Sequence, residues 1–310
     1  MHVIAHGGAG SPPSEPADRQ AVLDEAVACG AEQPSPLEAV CATVRVLEVD
    51  PSFNAGIGSA VQSDGAIRTD AGVMTDDGTA GAAASMEGVA HAVDVARAVA
   101  TETPHVLLAG ERAVDFAASV GVETNADCWT DRTRERWAAE DPPDALADQV
   151  AWIRERFGRG VAGDVDESDG DGDAGHDRQR ADPPHDHDTV GAVASDGESV
   201  AAATSTGGRW AALAGRVGDV PQVGAGFFAS PAGGASATGA GEDIAREGVA
   251  RRAVALLEQG ADAATAAGIA IDEFDAAADG TAGVIVMDDE GEAGEAYCSP
   301  AMQTATTETI

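Results

Sequence analysis

The sequence predicts an α+β fold in which sheets are covered by helices, and three observations carry that reading. Helical and strand patterns arrive in blocks instead of strict alternation. Several strand candidates consist almost wholly of Ala, Gly, Ser and Thr, which suits closely packed sheets. Residues 163–188 carry Asp164, Asp166, Glu167, Asp169, Asp171, Asp173 and Asp177 with almost no apolar side chain, the composition of a disordered, solvated linker between two structured parts.

Residues 2–5 form a short apolar strand that runs into His6-Gly7-Gly8-Ala9-Gly10, read as a turn that brings backbone close to a partner. Helical spacing follows over 17–31, where Val22, Ala26 and Cys29 share a face, and over 36–48, where Val40, Val44 and Leu47 do. Residues 53–58 are a glycine-rich turn, and 66–74 and 79–86 read as strands. The spacing predicts helices over 89–100, over 104–120 with Leu107, Gly110, Val114 and Ala117 on one face, and over 143–157. After the acidic stretch, 189–194 and 199–204 alternate as strands about the tight turn Ser195-Asp196-Gly197-Glu198. Strands over 221–228 and 233–238, helices over 242–259 and 261–278, and strands over 283–287 and 292–298 complete the chain. At 310 residues one large domain or two smaller ones are open on length alone.

Composition removes several function classes. Acidic residues number 54 against 18 basic ones, a formal net charge of -36, and every one of the 18 cations is arginine. Without lysine there is no P-loop amine, no pyridoxal Schiff base and no Ser-x-x-Lys centre. So negative a surface repels nucleic acid and anionic lipid, which argues against both as partners. Self-repulsion on this scale points to a salt-rich cytoplasm, because at molar salt the screening length falls to about 3 Å. Cys29, Cys41, Cys128 and Cys298 show no Cys-x-x-Cys spacing and are expected as reduced, mostly buried thiols. The start Met1-His2-Val3-Ile4-Ala5 has neither the basic nor the apolar character of an export or membrane-spanning segment, so a soluble cytoplasmic protein is expected.

Asp169, Asp171 and Asp173 match the opening of a calcium loop, but Ala174 and Arg180 stand where a glycine and a bidentate glutamate are needed. His176, His185 and His187 with Asp186 lie on the same linker, which does not preorganise ligands. Gly56-Ile57-Gly58 and Gly239-Ala240-Gly241 lack the third glycine of a dinucleotide fingerprint, and Ser59, Ser205 and Ser236 lack the frame of a serine elbow. What remains is a polar group in the second half: Thr189 heads a strand, Thr206 ends the next, Arg216 and Asp219 share a turn, and Thr238-Gly239 closes a later strand. Taken singly, threonines favour strands, glycines make turns and Arg216 pairs with Asp219. Taken together, they predict three strand ends gathered around one pocket. A threonine hydroxyl needs a base, and cleavage before Thr189 would supply one from its own α-amine.

Six motifs stand in order: His6-Gly7-Gly8-Ala9-Gly10, Phe53-Asn54-Ala55-Gly56-Ile57-Gly58, Asp188-Thr189-Val190-Gly191, Thr204-Ser205-Thr206-Gly207-Gly208, Gly215-Arg216-Val217-Gly218-Asp219 and Ala237-Thr238-Gly239-Ala240-Gly241-Glu242. In this the chain resembles the plant-type asparaginase and isoaspartyl peptidase group of N-terminal nucleophile hydrolases, related to the glycosylasparaginases. The resemblance implies a single domain over 1–310, a four-layer αββα sandwich, and self-cleavage between Asp188 and Thr189 into an α chain of 1–188, ending in the acidic linker, and a β chain of 189–310. It implies Thr189 as nucleophile with Thr206 as its hydroxyl partner, Thr238 and the Gly239 N–H as oxyanion hole, Arg216 and Asp219 on the substrate's α-carboxylate and α-ammonium, Gly241 lining the pocket and Asn54 beside the nucleophile. It implies no required cofactor, a structural sodium ion on backbone carbonyls of Leu47, Glu48, Asp50, Phe53, Ala55 and Ile57, and a homodimer of αβ units. The substrates implied are small molecules, isoaspartyl dipeptides and L-asparagine. His187-Asp188 is shared with glycosylasparaginases, whereas Gly207-Gly208 and the first motif favour the peptidase side, and residues 209–214 are less polar than in relatives. Glycosylated asparagine, and an uncut acidic binding or scaffold protein, stay open as alternatives.

Overall fold

The computed structural model describes residues 1–157 and 189–307. The acidic stretch, Asp188, and the histidines weighed as metal ligands lie outside the described residues. The first part holds β1 (His2–Gly10), α1 (Pro16–Ala31), α2 (Pro36–Val49), β2 (Arg68–Thr75), β3 (Ala80–Glu87), α3 (Ala92–Glu102), β4 (Leu107–Ala109), α4 (Glu111–Ser119), α5 (Asp131–Ala138) and α6 (Leu146–Phe157). The second holds β5 (Val190–Ser195), β6 (Val200–Thr206), β7 (Phe227–Ser230), β8 (Gly233–Gly239), α7 (Gly241–Glu247), α8 (Val249–Glu258), α9 (Ala263–Ala277), β9 (Ala282–Asp288), β10 (Ala293–Tyr297) and β11 (Ala301–Thr306). Local chemistry sets several starts: Pro16 opens α1, Ser35 accepts a hydrogen bond from the Glu38 N–H at the head of α2, and Asp262 accepts one from the Thr265 N–H at the head of α9.

Seven strands form one sheet in the order β11-β1-β5-β6-β2-β3-β4, and four form a second in the order β10-β9-β8-β7. All pairings between these strands are antiparallel except β3 with β4. The β5–β6 pair lies between β1 and β2, so strands from before and after the undescribed segment interleave in one sheet. Helices α1, α2 and α3 pack on the larger sheet, α8 and α9 pack on the smaller one, and the sheets pack on each other through β5, β6 and β2 against β8 and β7. One apolar core lies under α1–α3, with Leu23, Val44, Leu47 and Phe53. A second joins the facing sheets to α8 and α9 through Val193, Phe227, Ile285 and Phe274.

The small-residue strands have a concrete reason. A Cβ at Gly72 of β2 would lie 2.0 Å from Cε1 of Phe227, so the ring of one sheet seats on bare backbone of the other. Phe227 is fully buried, and burial of such a ring is worth roughly 2–3 kcal/mol.

Several expectations are corrected. The His6–Gly10 stretch is no turn: it continues β1, paired with β11 to Gly10 with a register shift between His6 and Ala9, while β5 pairs only as far as His6. The helix expected over 104–120 breaks because Gly110 takes φ +63, so that Leu107–Ala109 runs parallel to β3 before α4 begins. Gly248, at φ +67, likewise divides the helix expected over 242–259 into α7 and α8. Residues 221–226 are turn and loop, not strand, and α5 and β11 had no counterpart in the sequence reading. The four cysteines are free thiols, with Cys41 and Cys128 buried. Among the described residues no helix is long and apolar enough to cross a membrane.

Candidate active site

The β5–β6 hairpin fixes the centre of the site. Val190 pairs with Ser205, so Thr189, just before β5, lies beside Thr206, the last residue of β6. The Thr189 hydroxyl donates to Oγ1 of Thr206 at 3.1 Å, and that oxygen also accepts the Gly208 N–H at 3.1 Å. Both threonines are buried. Asn54 makes two hydrogen bonds to the following turn and one within its own loop. Its Nδ2 donates to the Gly208 carbonyl at 2.7 Å, its Oδ1 accepts the Ala60 N–H at 2.8 Å, and its own carbonyl accepts the Gly207 N–H at 2.8 Å.

Thr189, Thr206, Gly208, Arg209, Arg216, Asp219, Gly239 and Gly241 line one small pocket. Strand β8 ends there, with Gly239 at φ +136, a conformation closed to other residues, and a Cβ at that position would sit 2.2 Å from the Thr281 carbonyl. A Cβ at Gly241 would lie 2.7 Å from both the Arg216 Nη2 and the Asp219 Oδ1, so the pocket wall must be bare backbone. Thr238 is wholly buried and its Oγ1 accepts the Ala9 N–H at 3.3 Å; it and Asn54 stand outside that lining.

Arg216 does not pair with Asp219, as the residue-by-residue reading expected. Its Nε and Nη2 each donate at 2.8 Å to the two carboxylate oxygens of Glu242, in the first turn of α7. A fork-to-fork pair satisfies both planar groups and fixes the guanidinium. Asp219 keeps a buried Oδ2 without a hydrogen-bond partner. Burial would raise the Glu242 carboxyl, but the Arg216 guanidinium outweighs it and holds the pKa at about 2. Burial prevails at Asp219, pushing its pKa up to about 7 against the pull of Arg216.

Sequence reasoning missed two carboxylates at this site. In the sequence Glu242 stands only as the end of a motif, although an arginine that needs an anion and an acidic residue directly after Gly241 are both visible there. Asp70 pairs with Thr206 across the β2–β6 ladder, is raised to about 6 by burial, and accepts the Ser85 N–H at 2.6 Å. No spacing marks it.

Behind the pocket, His6 Nε2 lies 2.9 Å from the Ser236 hydroxyl oxygen. Ser236 in turn contacts Thr204 at 2.6 Å, and Thr204 donates to the Gly226 carbonyl at 2.8 Å. Burial lowers the His6 pKa to about 3, so the ring is neutral and serves this network as a spacer between sheets. Glu48 works on the other face of β6: its Oε1 accepts the Ser205 hydroxyl at 2.6 Å and the Val93 N–H at 3.0 Å. Burial raises its pKa, against the hydrogen bonds from His91, Ser205 and Val93.

Leu47, Glu48, Asp50, Phe53, Ala55 and Ile57 fall at the end of α2 and in the turn after it. The Glu48 carbonyl accepts the Ile57 N–H at 2.8 Å, and the carbonyls of Glu48 and Ala90 both close on Gly56, 2.2 and 2.6 Å from where a Cβ would stand. Uncharged oxygen donors of this kind fit a hard cation better than a redox metal.

A family model described as Asparaginase matches residues 1–309. This chain belongs to the asparaginase family. Among its relatives, a plant-type L-asparaginase of Pyrococcus abyssi is 35% identical over 307 residues, covering 94% of this chain and 91% of the relative. A plant-type L-asparaginase of Pyrobaculum calidifontis is 37% identical, with 97% and 94% covered. An isoaspartyl peptidase/L-asparaginase of Rattus norvegicus is 34% identical, with 94% and 81% covered. In this asparaginase-family chain the pocket at the ends of β5, β6 and β8 gathers six of the eight catalytic and substrate-binding residues expected from the motifs.

Proposed function

We propose that the chain is an autoprocessing threonine hydrolase that releases L-aspartate from isoaspartyl dipeptides and L-asparagine. The observation that carries the proposal is the Thr189–Thr206 hydroxyl contact inside a pocket that also presents a fixed guanidinium and a carboxylate oxygen without a partner. A guanidinium and a carboxylate side by side suit the carboxylate and ammonium of one α-amino acid end. The helix, sheet, sheet, helix packing supports the αββα fold of N-terminal nucleophile hydrolases. The interleaved β5 and β6 support one domain that stays whole when cut before Thr189.

The chemistry balances without an added reagent. Once the α-amine of Thr189 is free, its ordinary pKa near about 8 suits it to take the proton from its own hydroxyl. The hydroxyl oxygen attacks the substrate's β-carbonyl carbon. The oxyanion is held by the Gly239 N–H and Thr238, then collapses as the C–N bond breaks and the amine leaves with the proton. Water, deprotonated by the same α-amine, attacks the ester, and aspartate departs as the Thr189 hydroxyl is restored. Thr206 fixes the rotamer of the nucleophile, and Arg216 with Asp219 fixes the aspartyl unit.

Thr189→Ala removes both the attacking oxygen and the processing centre. The native chain is expected to run as two fragments under denaturing conditions, and the variant as one full-length chain with at least about a 1000-fold loss of hydrolysis. An unbroken native chain with full activity, or a variant that hydrolyses both substrates at the native rate, overturns the proposal.

A further inference from the structure

Arg216 and Asp219 share one turn, carry opposite charges and face each other across a bare glycine: a Cβ at Gly241 would lie 2.7 Å from both the Arg216 Nη2 and the Asp219 Oδ1. Opposite charges so placed pair unless something holds them apart. Glu242 does so, taking the Nε and Nη2 edge of the guanidinium in a two-bond fork at 2.8 Å each. Glu242 lines the cleft outside the site and not the inner pocket, whereas Arg216 lines both, so the fork anchors the guanidinium from its outer side. Nη1 stays on the other edge, 2.9 Å from where a Cβ of Gly218 would stand and 3.8 Å from one at Gly208, a residue of the pocket lining. Asp219 keeps its buried Oδ2 without a hydrogen-bond partner. The neighbouring carboxylates are engaged elsewhere, Asp243 by Arg246 at 2.6 Å and Asp70 by the Ser85 N–H at 2.6 Å. With Glu242 removed, Asp219 is the anion to which Arg216 would turn.

An aspartyl substrate brings a carboxylate and an ammonium on one carbon. Were Arg216 and Asp219 joined, the substrate would first have to part a sheltered ion pair, and its affinity would fall by what that pair is worth. Held apart, the two groups meet the substrate without that loss. We propose that Glu242 is a positioning residue that keeps Arg216 off Asp219, so that both charges stay open to the α-carboxylate and α-ammonium of the aspartyl unit. The proposal rests on the hydrolase reading above for its substrate. L-Asparagine and isoaspartyl dipeptides share the aspartyl unit, so Glu242 serves both alike, and the leaving group has no part in it.

The test joins a double-mutant cycle on stability to a kinetic comparison, using the native protein, Asp219→Asn, Glu242→Gln and the double variant at pH 8. In the native background Asp219→Asn is expected to raise Tm by at least about 2 °C, because it discharges a buried anion whose Oδ2 has no partner. In the Glu242→Gln background, where Arg216 has turned to Asp219, the same replacement is expected to lower Tm, a reversal that a merely structural role for Glu242 would not produce. Glu242→Gln is also expected to raise KM at least about tenfold for L-asparagine and for β-aspartyl-leucine alike, with kcat within about threefold, the pattern of lost uniform binding. Glu242→Asp, which keeps the carboxylate on a shorter stem, is expected to lie between and serves in the same cycle should Glu242→Gln fail to fold. An Asp219→Asn effect that is equal in both backgrounds, or a native KM in Glu242→Gln, overturns the proposal and leaves Glu242 as a surface partner of Arg216. Failure of the native protein to cleave either substrate would sink the hydrolase reading itself, while the Tm cycle needs no substrate and still decides whether Glu242 keeps the two charges apart.

Discussion

Asp219 is buried, keeps one oxygen without a hydrogen-bond partner, and has its pKa pushed up to about 7. A folded-state pKa above the ordinary 3.8 means that the folded chain binds this proton more tightly than the unfolded one. The stability it contributes is therefore present below about pH 4 and lost as pH rises through about 7. Asp219→Asn keeps the shape and discards the charge. It is expected to gain roughly 1–3 kcal/mol at pH 8 and almost nothing at pH 4, read as the difference in Tm between variant and native protein at each pH. Hydrolysis is expected to fall at least about 100-fold, because a neutral amide cannot balance a substrate ammonium. An equal Tm at pH 8, or undiminished kcat/KM, contradicts the placement of a strained anion here for the substrate's sake. At this scale much of the site was legible: Thr189, Thr206, Arg216, Asp219 and Gly239 sit at strand ends or beside glycine turns, where sequence pattern and geometry agree. Glu242 and Asp70 were not legible in that way. Each stands behind a pocket residue, Glu242 on Arg216 and Asp70 beside Thr206, through an approach of α7 or β2 that no local spacing records.

Elements whose identity depends on their own residues were readable, and those that depend on neighbours were not. The β5–β6 hairpin and the helices α1, α2 and α9 follow from alternation, periodicity and caps. The Gly-rich end of β1 reads as a turn by composition, yet becomes strand because β11 pairs with it through Ala9 and Gly10, beyond the point where β5 ends its pairing at His6. The seat of Phe227 on Gly72 is likewise a contact between sheets, invisible in either segment alone. Gly72→Ala tests that seat. A methyl group placed 2.0 Å from a ring carbon must push β7 away from β2, at a cost of about 1–3 kcal/mol. Thermal unfolding of Gly72→Ala and of Gly72→Val is expected to show a graded fall in Tm, with valine the worse. Native stability in both variants would mean that the sheets have slack where the structure shows none.

The whole molecule carries a formal charge of -36, and among the described residues several arginines pair with carboxylates at the surface, as in Arg112 with Asp115 and Arg252 with Glu273. Such exposed pairs are worth little each, and with 54 acidic residues against 18 arginines most carboxylates have no arginine to pair with. Screening shortens from about 10 Å at 0.1 M salt to about 3 Å at 1 M, so repulsion that spans the surface at low salt is confined to near neighbours at high salt. The Tm is expected to rise by more than about 10 °C between 0.1 and 2 M KCl, while sucrose at matched osmolality, which cannot screen charge, gives a smaller rise. Because β5 and β6 are laced between β1 and β2, the processed form is expected to unfold in one transition at every salt concentration, with both fragments released together. Fragments that separate on dilution while still folded, or a Tm indifferent to KCl, would contradict the account of this chain as one interleaved fold held against its own charge.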